Sequence, residues 1–188
     1  MILPIYSYGN PILKKKCKDV DSSYPNLNKL INDMWDTMYN AQGVGLAAPQ
    51  IGKQIRLFII DASPFFDEKD ITDYESKNLK RVFINPVVTF LNDDKCSFNE
   101  GCLSIPDVRE DIERFDSIKI NFLDEKFNSK SLDFNGILSR VILHEYDHIQ
   151  GVLFTDKISK FKRSLIQKKL NKISRGQIDV DYPMKFLK

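Results

Sequence analysis

The chain is short of several things, and each shortage narrows what it can be. Its 188 residues include three cysteines, Cys17, Cys96 and Cys102, too few for a disulfide scaffold and an odd number that cannot all pair. That usage fits a reducing, cytoplasmic setting in which a thiol stays free to act as a ligand or a nucleophile. Long apolar runs are missing too. The longest uncharged stretch, 37–52, contains three glycines and a proline, and it falls short of the ~20 apolar residues that a spanning helix needs. Met1-Ile2-Leu3-Pro4 has no basic segment leading into an apolar one, so no secretory leader is expected. Charge of one sign is not in excess: 28 Lys and Arg against 26 Asp and Glu leave +2. Averaged over the chain, this predicts no DNA-binding protein, and no membrane partner is expected either. Histidine is scarcest of the chemically versatile residues, with two in all.

What is present describes an ordinary soluble globule: 42% hydrophobic, 11% aromatic and 29% charged residues. A chain this long can bury roughly 70% of its unfolded surface in one core, so a single catalytic domain over 1–188 is expected. Apolar residues at Leu27, Leu30, Ile31, Met34, Trp35 and Met38 have helical spacing, closed by Gly43 and Gly45, and predict a helix over 26–40. Runs rich in Val, Ile and Phe predict strands at 55–61, 82–91, 95–99, 117–123 and 131–134. Pro86 implies an edge or an interruption in the second of these. Residues 62–80 hold five acidic side chains and few aliphatics and predict a solvated loop or insertion. Asn135 has the character of an N-cap for a helix over 136–150 that Gly151 stops. A last helix is expected over 158–174, with Ile158, Phe161, Leu165, Leu170 and Ile173 as its apolar stripe. The pattern is α+β: short, mostly antiparallel strands around a central helix, with a C-terminal helix.

That central helix carries His144-Glu145-Tyr146-Asp147-His148, and both histidines of the chain are in it. Positions four apart share a helix face, so the two imidazoles can grip one metal ion. Glu145 lies about 100° round from His144, where it can reach a water beside that ion without binding the ion. Ile137 and Val141 extend the histidine face and make it apolar, which argues against an accidental match on a solvated helix. A catalytic site normally has three protein ligands and an open position. The metzincin continuation fails, because Phe154 stands where its third histidine belongs. No glutamate follows Glu145, which leaves only Asp156, Asp179 and Asp181 downstream. The best source is upstream, Cys102 in Glu100-Gly101-Cys102-Leu103-Ser104. A lone cysteine is more often a small buried hydrophobe, so on the residues alone this assignment stays open. Cys17 and Cys96 read as structural.

A third feature is Gly43-Val44-Gly45-Leu46-Ala47-Ala48-Pro49-Gln50. Alternating glycines let a backbone pass close to a ligand, and Gln50 can donate an amide hydrogen bond. A phosphate loop would need a following Lys-Ser/Thr, which is missing; a plain tight turn is the other reading.

Taken in order, the blocks at 43–50, 100–104 and 144–148 resemble the three signature motifs of bacterial peptide deformylases. The resemblance implies a metal-dependent hydrolase that removes the formyl group from the N-terminal formyl-methionine of nascent proteins. It implies one divalent metal, natively Fe2+ with Zn2+ or Ni2+ as substitutes, held by Cys102, His144 and His148. It implies Glu145 as general base and then acid, with Gln50 and the Leu103 backbone N–H stabilising the formyl oxygen. Substrate would add as an extra strand near Val44, Gly45 and Gly101, with a methionine pocket near Val44 and Val141 and Arg109 close by. For Arg109 an ordinary surface salt bridge is the alternative. One departure stands out: Leu143 precedes His144 where family members commonly carry glutamine. Read on the residues alone, a zinc endopeptidase and a non-catalytic metal protein attached to the ribosome are the competing classes. Finally, 157–178 holds eight Lys or Arg and no acid. The run predicts either a solvated face or, as in related enzymes, docking of a basic C-terminal helix (158–174) on ribosomal RNA.

Overall fold

The computed structural model describes residues 1–67 and 79–187. Most of the expected acidic insertion at 62–80 therefore lies outside the described residues. The fold is α+β. Its centre is a five-stranded antiparallel sheet of β2 (Gly45–Ala47), β3 (Leu57–Asp61), β4 (Lys80–Phe90), β7 (Ser117–Leu123) and β8 (Ser129–Asn135), in that spatial order. β5 (Lys95–Cys102) and β6 (Ile105–Phe115) form a separate antiparallel hairpin. β1 (Ile5–Tyr6) and β9 (Met184–Lys185) form a short parallel ladder, a departure from the antiparallel pairing of the other named strands.

Period-two alternation in β3 explains why helices pack on both sheet faces. Leu57 and Ile59 face α1 (Leu27–Asn40), meeting Leu30, Ile31, Met34 and Met38. Phe58 and Ile60 point the other way, towards α2 (Gly136–Ile149) and its Leu138, Val141 and Ile142. Phe83 stacks on Phe58 at 4.8 Å and meets Phe122 at 4.5 Å between ring centroids, at the middle of this layer. Replacing such a buried ring by alanine typically costs about 3–5 kcal/mol. A third cluster joins β6 to α3 (Lys160–Ser174) through Val108, Ile112, Leu170 and Ile173.

Several expectations are corrected. β6 was not expected as a strand, because Asp107, Arg109, Asp111 and Glu113 fill alternate positions; the intervening Val108 and Ile112 are buried. Pro86 interrupts β4 without making it an edge: the strand pairs on both sides, and its register with β7 shifts between Ile84 and Val87. Asn135 occupies the N-cap position of α2 but makes no side-chain cap bond. Gly151 does end that helix, at φ +76°, with Lys14 carbonyl oxygen 2.7 Å from where a Cβ would stand. α3 starts two residues late, capped by Ser159, which accepts from the Lys162 N–H at 3.2 Å. Its expected stripe is only partly buried: Phe161 and Leu165 are 72% and 67% exposed, while Leu170 and Ile173 enter the core.

Candidate metal centre

Two elements bring the candidate ligands together. α2 places His144 and His148 one turn apart, with ring centroids 5.1 Å from each other. The end of β5 delivers Cys102, whose register with β6 shifts after Gly101, so the thiol leaves the ladder and turns towards the helix. Cys102 Sγ lies 3.3 Å from His148 Nε2, and one ligand atom from each of the three residues lies within 4.8 Å of the others. One sulfur and two imidazole nitrogens converging at this range are a donor set suited to a divalent transition metal.

The surroundings fix those donors. Glu100 Oε2 lies 3.0 Å from His144 Nδ1, which leaves the other ring nitrogen for the cluster. Glu100 is 5% exposed and takes a bidentate grip from Arg114, 2.7 Å from Nε and 2.9 Å from an Nη, and a third contact from Arg140 at 2.9 Å. Arg114 also donates to Asp147 at 2.6 Å, so the guanidinium joins β5 to α2. Burial by itself would raise the Glu100 pKa, but hydrogen bonds from His144 and Arg114 hold it well below the usual carboxylate range. Burial keeps His148 neutral, with its pKa pushed well down, as a ligating imidazole must be. In His144 burial is outweighed by hydrogen bonds with Cys102 and Glu100, which raise it to about 10; a cation at the free nitrogen would take the place of that proton.

Glu145 is 4% exposed, and its Oε2 is a buried oxygen without a partner among the described residues. Burial pushes its pKa up to about 7. Gly45 makes room for this carboxylate: a Cβ there would stand 2.4 Å from Glu145 Oε1. Gln50 sits in a 3₁₀ turn, Ala48–Ile51, and is 1% exposed. Its carbonyl accepts from the Ala47 N–H at 2.8 Å, while its Nε2 donates to Ser104 Oγ at 3.2 Å and faces Cys102 Sγ at 3.6 Å. Gly45, Gln50, Glu100, Cys102, His144 and Glu145 border one cleft of about 500 Å³.

The remaining sequence candidates also line that cleft: Val44, Gly45, Gly101, Leu103, Arg109 and Val141. Arg109 is held differently from the salt bridge considered above. Its guanidinium donates to the side-chain oxygen of Asn99 at 2.8 Å and to the Asn99 carbonyl at 2.5 Å. Cys17 is buried, and its pKa rises to about 11 through that burial, in keeping with a structural role. Leu143, the departure from the motif, is buried against the sheet, and its carbonyl oxygen accepts from Arg114 at 3.4 Å.

Sequence reasoning missed Arg114, Arg140 and Tyr182, and gave Glu100 no role. Arg140 could have been found: it lies one turn before His144 on a largely apolar helix. Arg114 stood on the unrecognised strand and gave no signal.

Comparison with known proteins agrees with this geometry. A family model described as polypeptide deformylase matches residues 2–164, a span that stops short of Tyr182. The peptide deformylase of Christiangramia forsetii is 53% identical, covering 99% of this chain and 96% of that one. That of Flavobacterium psychrophilum is also 53% identical, over 100% and 98%. Among solved structures, a peptide deformylase from Legionella pneumophila shares 36% identity at a TM-score of 0.79, covering 94% of this chain and 98% of its own. One from Ehrlichia chaffeensis shares 30% at 0.82, over 94% and 99%. A full-length match of this kind, around a cleft with a Cys-His-His donor set, leaves one conclusion: the chain belongs to the polypeptide deformylase family, metal-dependent hydrolases that remove the N-formyl group from nascent peptides.

Proposed function

We propose that residues 1–188 form one catalytic domain that hydrolyses the formyl amide of formyl-methionyl peptides, with Cys102, His144 and His148 holding one divalent metal and Glu145 moving the proton. The observation that carries this reading is the Glu145 carboxylate, buried beside the three candidate ligands with one oxygen unpartnered among the described residues. A purely structural metal site has no use for such a group, and an unsatisfied buried polar atom costs about 1–3 kcal/mol.

A divalent ion held by Cys102, His144 and His148 would supply Lewis acidity towards the attacking water and the formyl carbonyl. Glu145 accepts the proton of the attacking water as its oxygen bonds to the formyl carbon. The C–N bond then breaks, and Glu145 delivers that proton to the departing amine, leaving formate and a free N-terminal amino group. Negative charge that develops on the formyl oxygen meets the Gln50 side-chain amide and the Leu103 N–H. Gln50 is already aimed, because Ala47 N–H holds its carbonyl end. Losing one such donor costs about 10²–10³ in rate. Val44, Gly45 and Gly101 offer backbone to an added substrate strand, Val141 an apolar wall for methionine, and Arg109 a cation at the rim.

Fe2+ is the metal we assign in the cell, with Zn2+ or Ni2+ as substitutes; a thiolate ligand beside ferrous iron makes the site oxygen-sensitive. The protein works in the cytoplasm, consistent with free thiols and with no helix among the described residues being long and apolar enough to cross a membrane. The exposed face of α3, with Lys168 and Lys172, offers phosphate contacts to ribosomal RNA.

Glu145→Ala tests the catalytic reading. The variant is expected to retain its metal and to lose nearly all release of formate from formyl-Met-Ala. Retained turnover would remove the mechanism.

A further inference from the structure

The turn that joins β5 to β6, Leu103-Ser104, follows Cys102 directly and carries the Leu103 N–H, and something must hold it still. Within the hairpin it is closed by the Cys102–Ile105 pair, which the register shift after Gly101 sets apart from the rest of the ladder. Its two free carbonyls are instead held from outside. The Tyr182 hydroxyl donates to the Leu103 carbonyl oxygen at 2.8 Å, and the Tyr8 N–H donates to the Ser104 carbonyl oxygen at 2.8 Å. Both tyrosines are carried by the parallel β1–β9 ladder, Tyr8 just after β1 and Tyr182 just before β9. The ladder is tied by Ile5 N–H to Pro183 oxygen at 2.9 Å and Ser7 N–H to Lys185 oxygen at 3.0 Å. The chain thus returns after α3 as a strap across the cleft wall.

We infer that Tyr182 is a positioning residue for deformylation: its hydroxyl, brought in by the C-terminal strap, clamps the Leu103 carbonyl and thereby sets the direction of the Leu103 N–H. Fixing the carbonyl of a residue restrains its ψ, and in a two-residue turn between a metal ligand and the next strand this leaves little freedom for φ. Donors preorganised at a developing oxyanion contribute far more than donors that must first be oriented. Tyr182 also lines the cleft, packed against the α1 side of the core, so its ring is restrained independently of the hydroxyl. Burial and the neighbouring Cys102 and Asp107 push its pKa above the ordinary tyrosine value, so the hydroxyl stays a donor.

This inference rests on the proposed role of the Leu103 N–H, and the test separates the two. Tyr182→Phe keeps the ring and deletes only the donor. In metal-loaded enzyme kcat is expected to fall about tenfold, the equivalent of one ordinary hydrogen bond, with KM, metal content and Tm close to wild type. Hydrogen exchange of a peptide spanning 101–107 is expected to be faster in the metal-free and metal-loaded protein alike. Tyr182→Leu should lose at least as much kcat. A Tyr182→Phe enzyme whose kcat stays within about twofold of wild type, or whose exchange over 101–107 is unchanged, overturns the inference. If Glu145→Ala is inactive in the same assays, the catalytic reading survives that outcome; if it is active, that reading has failed on its own.

Discussion

Glu100 offers the sharpest perturbation, because one carboxylate answers two buried guanidinium groups and the His144 imidazole. Glu100→Gln keeps the size and one acceptor oxygen but removes the charge. Breaking a buried pair by deleting one partner costs about 3–5 kcal/mol. Asp147, 2.6 Å from Arg114 in the wild-type structure, can still answer that guanidinium, which places the expected loss at the lower end, about 3 kcal/mol. At about 2–4 °C per kcal/mol for a chain of this length, Tm should drop by roughly 6–12 °C in differential scanning calorimetry. Loss of the carboxylate that orients His144 should also weaken metal affinity by about 10–100-fold. The pH dependence fixes the sign. The Glu100 pKa is depressed on folding, so its stabilisation is present above its ordinary 4.5 and is lost as pH falls towards the folded value. The gap between wild type and variant should therefore be full at pH 7 and narrow below 4.5. A Tm change under about 2 °C at pH 7, or a gap that widens in acid, would refute the reasoning.

Two further outcomes follow from the charges at the site and on α3. Glu145 must be ionised to take a proton, and burial, partly offset by the charges of His144 and Arg114, puts its pKa at about 7; a divalent cation beside it favours the ionised form, so the acid limb of kcat/KM should fall at or below that pH, and a limb clearly above it contradicts the assignment. Reversing Lys168 and Lys172 to glutamate changes an exposed face without touching Leu170 or Ile173, and should abolish low-salt co-sedimentation with ribosomes while leaving turnover of a free formyl peptide intact; unchanged co-sedimentation ends the docking proposal.

Much of this site could be read in the sequence, and the reasons are local. His144 and His148 share a face because a helix repeats every 3.6 residues, and α2 was legible from its apolar stripe and Gly151. Gly45 was legible as a place of close approach, although only the structure identifies the Glu145 carboxylate as what approaches. The misses are of another kind. β6 hid behind charged residues at alternate positions, and with it went Arg114, whose value depends on pairing with Glu100 across the hairpin and Asp147 on the helix. Tyr182 reaches Leu103 over 79 positions, a contact that no spacing rule contains. Phe161 and Leu165 illustrate the converse: helical periodicity marked them as core, yet α3 lies on β6 through its later turns, leaving the first two apolar positions in solvent.

The central claim is that one sulfur and two imidazoles hold a cation without which formate is not released. Purified without oxygen, the protein should contain one divalent metal per chain and release formate from formyl-Met-Ala, and a chelator should remove both in proportion. The Cys102→Ser protein should show altered or lost metal and a matching loss of rate. Formate release that persists undiminished in protein freed of metal would contradict the account.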